Sequence, residues 1–344
     1  MDRPNVAFPD FLPHRLLASP HLQTILAAYW HGPVPKIAKR TLYVDADDGD
    51  RLALHEFLPE DWKPGERVVL LVHGLGGSHA SGYVRRVGAR LYQRGLRVFA
   101  KDLRGFGDGA YVARGHIHAG RWQDVAACLA TVRQHAPASP ITLVGFSLGA
   151  NITLKLVGEC GRNVPAGLDS AVAVAPPIDL LYCARNLRHG INRLYDWSFT
   201  KGLQEKLFER RRRIPDLIDA KISPLPRRLL EFDDLFTAPL LGFQGARHYY
   251  QEASSIGTLS CIDVPTLILA ADDDPVIPPA MFDAADFSSK VDFRLTRGGG
   301  HLGWIGRKSG DPDNRWMDWR IVEWIDALRK SLSSGPSMQQ HALG

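Results

Sequence analysis

The sequence predicts an open, mostly parallel α/β sheet flanked by helices and interrupted by a largely helical insertion. Three observations lead there. Short continuous apolar runs recur along the chain, each the length of a strand buried on both faces. Longer stretches with apolar residues spaced at three and four fill the gaps between them. The rhythm breaks once, between about Asp179 and Asp263, where no buried-strand run occurs. The 344 residues suit one large α/β domain carrying an insertion as well as they suit two domains. A chain of this size buries about three quarters of the surface exposed when unfolded, so it needs no disulfide or metal to fold.

Taken in order, Thr41–Asp45 and Leu52–Phe57 flank the Asp/Gly-rich turn DADDGD and read as an early antiparallel hairpin. Buried strands are expected at Arg67–Val72, Leu96–Lys101, Ile141–Val144, Ala171–Ala175, Thr266–Ala270 and Val291–Thr296. Helices are expected over about Gly82–Gln93, Trp122–His135, Leu148–Glu159 and Trp316–Lys330, each closing near Gly or Pro. Inside the insertion Lys201–Arg213 has a helical pattern, and the Pro-rich piece Pro224–Pro226 interrupts it. The run Arg210–Arg213 reads as a solvated helix face rather than an anion site. The expected division is an N-terminal extension packing on the core (1–40), the α/β core (41–178 and 264–330), a helical cap (179–263) and a flexible polar tail (331–344).

Composition removes several classes. With 45% hydrophobic and 23% charged residues the chain is neither collagenous, nor low-complexity, nor largely disordered. The net charge of +5 is spread without a dense Lys/Arg stripe, so nucleic acid is not an expected partner. Cys128, Cys160, Cys183 and Cys261 form no CxxC pair, which suits reduced thiols in a cytoplasmic setting. The N-terminus lacks a signal-type apolar segment and no stretch approaches 18 apolar residues, so stable membrane insertion is not expected. His116 and His118 lack a matching Cys/His cluster, so no metal is expected. Two strings imitate dinucleotide loops: GxGxxA at Gly105–Ala110 and GxGxxG at Gly298–Gly303. The first does not open the fold or run at once into a helical pattern. The second is followed by Trp304, Ile305 and a polar loop. No cofactor is expected from either.

The chemistry concentrates in Gly145-Phe146-Ser147-Leu148-Gly149, directly after one expected strand and directly before an expected helix. A Ser on so sharp a turn takes strained backbone angles, and small residues two before and two after it remove clashing side chains. Chance alone gives about 0.15 matches to GxSxG at this glycine content, so the placement carries more weight than the match. A Ser hydroxyl is a weak nucleophile and needs a base oriented by an acid. The expected order is Ser, acid, His. His301 follows the strand Val291–Thr296, and Asp274 follows Thr266–Ala270 in the string Asp272-Asp273-Asp274-Pro275. Only one of the three consecutive acids can face the imidazole. Pro275, which restrains the turn, favours Asp274, while Asp179 after Ala171–Ala175 is a rival whose plainer role is a helix N-cap. Two backbone amides must face the developing oxyanion. Leu148, after the nucleophile, supplies one, and Leu75 in His73-Gly74-Leu75-Gly76-Gly77-Ser78 is the choice for the other. The insertion carries more apolar bulk than an exposed segment should, including Leu180, Leu187, Phe199 and Leu203. Part of it is expected to line an acyl pocket above Ser147.

At these residues the chain resembles the YheT-like branch of the α/β-hydrolases, relatives of eukaryotic α/β-hydrolase domain proteins that act on lipid esters. The likeness runs from PHLQT at Pro20 through HGLGGS at His73, DLRGFG at Asp102 and VGFSLGANITLK at Val144. It continues with EFDDLFTAPL at Glu231, GFQGARHYYQEAS at Gly242 and GGGHLGW at Gly298, reaching about residue 330. The resemblance implies the α/β-hydrolase fold and a serine esterase or lipase-like hydrolase of carboxylic esters, short- to medium-chain or lipid-like, with its triad carried by Ser147, Asp274 and His301. One alternative is an acyltransferase or thioesterase using the same triad; another is a non-catalytic binding protein on a hydrolase scaffold, against which the intact triad argues. The H-x4-D motif discussed for some relatives is not found, since no His here has Asp five positions later.

Overall fold

Apolar runs that can be buried on both faces become the interior of one sheet. The structure, a computed structural model, describes residues 3–30, 32–213, 225–308 and 310–333. It opens with α1 (Pro20–Tyr29), β1 (Arg40–Asp45), β2 (Arg51–Phe57), β3 (Val68–Val72), α2 (Gly82–Tyr92) and β4 (Arg97–Asp102). Next come α3 (Gly109–Val112), α4 (Gln123–His135), β5 (Ile141–Phe146), α5 (Leu148–Cys160) and β6 (Leu168–Val174). Between β6 and β7 lie α6 (Leu180–Asn186), α7 (Arg193–Arg213), α8 (Leu229–Phe232), α9 (Ala238–Leu240) and α10 (Ala246–Ala253). The chain then closes with β7 (Thr266–Ala271), β8 (Val291–Thr296) and α11 (Trp316–Ser333).

The eight strands form one sheet in the order β1-β2-β4-β3-β5-β6-β7-β8. Only β2 runs against its neighbours β1 and β4; the other pairs are parallel. The expected hairpin and the six expected buried strands are all present. Strands β3, β4, β5 and β7 are buried along their whole length, whereas the edge strands β1 and β8 are partly exposed. That is why the interior strands read as unbroken Val/Ile/Leu runs.

From β3 the chain steps one way to β4 and later the other way to β5. Right-handed crossovers in opposite directions put their helices on opposite faces. Accordingly α2 packs with α11, and α4 packs with α5. Val72 lies beside Gly145, and Phe146 beside Val174. The carboxyl ends of β3, β5 and β6 therefore open at one level, where the strand order reverses and a crevice forms.

The described residues between β6 and β7 contain no strand. Helix α7 begins at Arg193, earlier than the sequence pattern suggests. The reading of Arg210–Arg213 as a solvated face is corrected at its first residue. Arg210 is buried and donates to the carbonyl oxygens of Gly115 (2.6 Å) and Arg114, while Arg211 and Arg212 are exposed. A guanidinium has five donors and a long stem, so one residue of a charged run can turn inward to satisfy loop carbonyls. Pro224, and the tail from residue 334 onward, lie outside the described residues.

Candidate active site

Ser147 sits between β5 and α5 with φ 51° and ψ −119°. The left-handed φ turns the chain sharply enough to lift the side chain above the sheet, and costs about 1–3 kcal/mol. Surroundings hold it there. The Ser147 amide donates to the Val174 carbonyl of β6 (2.8 Å). A Cβ on Gly145 would strike the Gly149 carbonyl and the Thr153 hydroxyl; one on Gly149 would strike the Val72 carbonyl. Both motif glycines are thus demanded by close backbone approach. A third glycine belongs to the same packing, because a Cβ on Gly74 would lie 2.8 Å from the Ser147 Cβ.

The hydroxyl of Ser147 donates to Nε2 of His301 (2.9 Å), and Nδ1–H of His301 donates to Oδ2 of Asp274 (2.9 Å). Asp274 is buried, and its other oxygen accepts the amides of Val276 (2.8 Å) and Ile277 (2.9 Å) across Pro275. Its carboxylate is thereby fixed in orientation. The neighbouring acids have other partners: Asp272 accepts the Gly298 amide (2.7 Å) and Asp273 the Gly300 amide (2.8 Å). Burial raises the pKa of Asp273, and the Gly300 amide offsets part of the rise. Asp179 caps α6 by accepting the Tyr182 amide (2.9 Å) and does not touch His301.

Ser147 is the N-cap of α5, so the Leu148 amide belongs to the first helical turn, where backbone donors lack intrahelical acceptors and the helix dipole is positive. In the loop after β3 the Gly74 amide is taken by the Tyr83 hydroxyl (3.0 Å). Leu75 follows it on the wall of the cavity that contains Ser147. His73 is structural. Its Nδ1–H donates to the Gly74 carbonyl (2.7 Å), its Nε2 accepts the Leu103 amide (3.0 Å), and burial lowers its pKa to about 4.

The residues that hold the His301 loop escaped sequence reasoning. Thr24 of α1 accepts the His301 amide (2.9 Å). Buried Gln23 accepts the Ile305 amide (2.7 Å) and donates to the carbonyls of Ile305 (3.0 Å) and Leu17 (2.7 Å). Gly298–Gly303 is this loop: a Cβ on Gly300 would meet the Pro20 carbonyl at 2.5 Å, and one on Gly303 would meet the Gln23 side chain. The only signal for these contacts was the string PHLQT. In Gly105–Ala110, α3 does start at Gly109, and a Cβ on Gly107 would strike the Asp102 carboxylate. Its glycines serve packing.

His116 and His118 are both half-buried, and desolvation lowers their pKa values to about 3 and about 4. His118 accepts the Gly120 amide (3.0 Å) and packs edge-on against Phe243 and Tyr249. Among the described residues one other group brings ligand-type atoms together: His55, His79, Asp102 and Asp108. Its hydrogen bonds account for it. His55 and His79 donate to Asp102 (3.1 and 2.8 Å), which also accepts the amides of His79 (2.6 Å) and Asp108 (2.7 Å). The Lys39 ammonium lies 2.7 Å from His79 Nε2 and 3.5 Å from Asp108, so a cation already faces this group. Burial pushes the Asp102 pKa up, but the bonds from His55 and His79 outweigh it and hold the carboxyl far below its usual range.

A cavity of about 480 Å³ opens on Ser147 and His301. Leu180, Leu187, Phe199 and Leu203 from the segment between β6 and β7 form part of its wall, with Ile25 and Tyr29 from α1. Nearby Tyr182 and Trp197 are exposed instead. Asn151 of α5 braces the surrounding loops, donating to the carbonyls of Ala119 (3.0 Å) and Ala253 (2.9 Å).

A family model described as serine aminopeptidase, S33, matches residues 63–297. The protein YheT of Escherichia coli (strain K12), an esterase by designation only, is 30% identical over 94% of this chain and 95% of its own. The chain belongs to the YheT-like branch of the α/β-hydrolases. It is an enzyme of that superfamily, of the esterase type. Medium-chain fatty acid ethyl ester synthase/esterase 2 of Saccharomyces cerevisiae is 27% identical over 85% of this chain and 67% of its own. The Pyrococcus furiosus esterase Pf2001 shares the fold, with a TM-score of 0.55 at 16% identity over 94% of this chain and 98% of that one. Among the described residues, no helix is long and apolar enough to cross a membrane.

Proposed function

We propose that this α/β-hydrolase is a carboxylic ester hydrolase working through an acyl-enzyme on Ser147, without cofactor or metal. The observation that carries the reading is the hydrogen-bonded line Ser147–His301–Asp274 at the edge of an apolar cavity. As Oγ attacks the ester carbonyl carbon, its proton passes to Nε2 of His301, and Asp274 stabilises the imidazolium while keeping the ring oriented. The carbonyl oxygen, now negative, is met by the amides of Leu148 and Leu75. Collapse breaks the bond to the alcohol oxygen, which takes the Nε2 proton and leaves. Water, deprotonated by the same nitrogen, then attacks the acyl carbon and releases the acid with Ser147 restored. An alcohol in place of that water would make an ester, and the name of the yeast relative supports this second outcome. Added ethanol that diverts acyl product from acid to ethyl ester distinguishes the two.

In this reading the described residues between 179 and 263 form a cap whose apolar side chains receive the acyl chain. Each buried methylene contributes about 0.8 kcal/mol, or roughly fourfold in binding, until the cavity ends. Uncharged esters are preferred, because a second carboxylate would lose hydration without a partner. The test is kcat/KM for p-nitrophenyl esters from acetyl to dodecanoyl, below their micelle concentrations. The expected result is a rise with acyl length followed by a plateau or fall; no dependence on length contradicts the pocket.

A further inference from the structure

Most of the cavity wall over Ser147 is apolar, yet among the described lining residues one carboxyl group stands in it, that of Asp233. Asp233 opens a single π-helical turn, Asp233–Thr237, set between α8 and α9. Such wide turns are rare, cost regular helical bonding, and recur where a side chain must be aimed. Asp233 is 6% exposed, and Tyr250 of α10 donates its hydroxyl to it at 2.6 Å. Thr237, one turn on, hydrogen-bonds to the same carboxyl. A carboxylate offers about four acceptor positions, so these two partners leave acceptor capacity on a residue that lines the cavity. Tyr249 stands on the same wall. Its hydroxyl accepts the Ala119 amide (2.8 Å) and keeps its hydrogen to donate.

We propose that Asp233, held by Tyr250 and Thr237, forms a polar subsite for a free hydroxyl group on the ester substrate. This deepens the ester-hydrolase reading and rests on it. A hydroxyl fits because it both donates and accepts, matching Asp233 on one side and Tyr249 on the other. An ammonium group fits worse. It would leave water for a carboxyl whose burial, only partly offset by the bonds from Thr237 and Tyr250, raises its pKa to about 6. A plain alkyl ester would leave the Asp233 acceptor facing hydrocarbon, which is the arrangement that discriminates most strongly between substrates. The hydroxyl can belong to the alcohol half, as in a partial ester of a polyol, or to the acyl half, as in a hydroxyacyl ester.

The experiment compares kcat/KM for three soluble esters of similar size: propyl octanoate, monooctanoylglycerol and propyl ω-hydroxyoctanoate. The unmutated enzyme is expected to favour one of the two hydroxyl-bearing esters over propyl octanoate by about ten- to a hundredfold. Which one identifies the half of the substrate that reaches Asp233. Asp233→Leu brings that ratio to about one, and Asp233→Asn, which keeps the shape but has less acceptor capacity, lowers it at least severalfold. A ratio between substrates is unaffected by a general loss of folded or active enzyme. A purely structural Asp233–Tyr250 pin would lower all three rates together and leave the ratio unchanged, which overturns the subsite. So does a ratio near one in the unmutated enzyme. Cleavage of none of the three esters overturns the ester-hydrolase reading, and the subsite with it.

Discussion

Ser147 keeps a positive φ that a non-glycine residue adopts at a cost, and three glycines around it supply the room. Beside it, one choice among four acids separates Asp274 from its neighbours. Asp274 holds two backbone amides on one oxygen and His301 on the other, whereas Asp272, Asp273 and Asp179 each spend an oxygen on an amide elsewhere. Changing Asp274 to Asn replaces a carboxylate by an amide that cannot stabilise the imidazolium and forces the wrong tautomer, a loss of about 10⁴ in kcat. Asp273→Asn and Asp179→Asn should each cost less than tenfold. Steady-state kinetics on one activated ester checks all three, and equal losses for Asp274 and Asp179 would contradict the assignment. The sequence narrowed the acid to a short string because these residues follow a strand. Pro275 favoured Asp274 among the consecutive acids, but which of them faces the imidazole also depends on how the Gly298–Gly303 loop folds back onto the others.

At the scale of elements, the loops after β3 and β4 are joined by Asp102, whose carboxylate accepts from His55, His79 and two backbone amides. The Asp102 pKa lies well below its unfolded value of 3.8. A depressed folded pKa means the stabilisation is complete above the unfolded value and is lost as pH falls through the folded one. Asp102→Asn should therefore cost about 2–4 kcal/mol near pH 7, with the gap to the unmutated protein narrowing below about pH 4. Urea unfolding across that range checks it, and a pH-independent gap would contradict it. The strands were legible because burial on both faces leaves continuous apolar runs, and the main helices because their apolar spacing repeats. The role of α1 was not. Thr24 and His301 are 277 positions apart, and no local pattern announces that a glutamine will pin a distant loop. The inward turn of Arg210 was hidden for the same reason.

Across the whole molecule, the reversal of strand order puts the loops after β3 and β5 side by side, and β7 and β8 bring Asp274 and His301 to the same end of the sheet. The N-terminal segment and the helices between β6 and β7 then both supply parts of the cavity wall. That wall exists only in the folded chain, so its shape, and the buried Asp233 in it, were beyond reach of residue spacing. The central claim is that this assembly makes Ser147 a nucleophile. Incubation with a fluorophosphonate probe, followed by mass spectrometry of the labelled peptide, tests it most directly. The account predicts one labelled peptide, carrying the adduct on Ser147, and no labelling with turnover reduced by about 10⁶ in Ser147→Ala. Labelling at another residue, or a folded Ser147→Ala variant that keeps its activity, would contradict it.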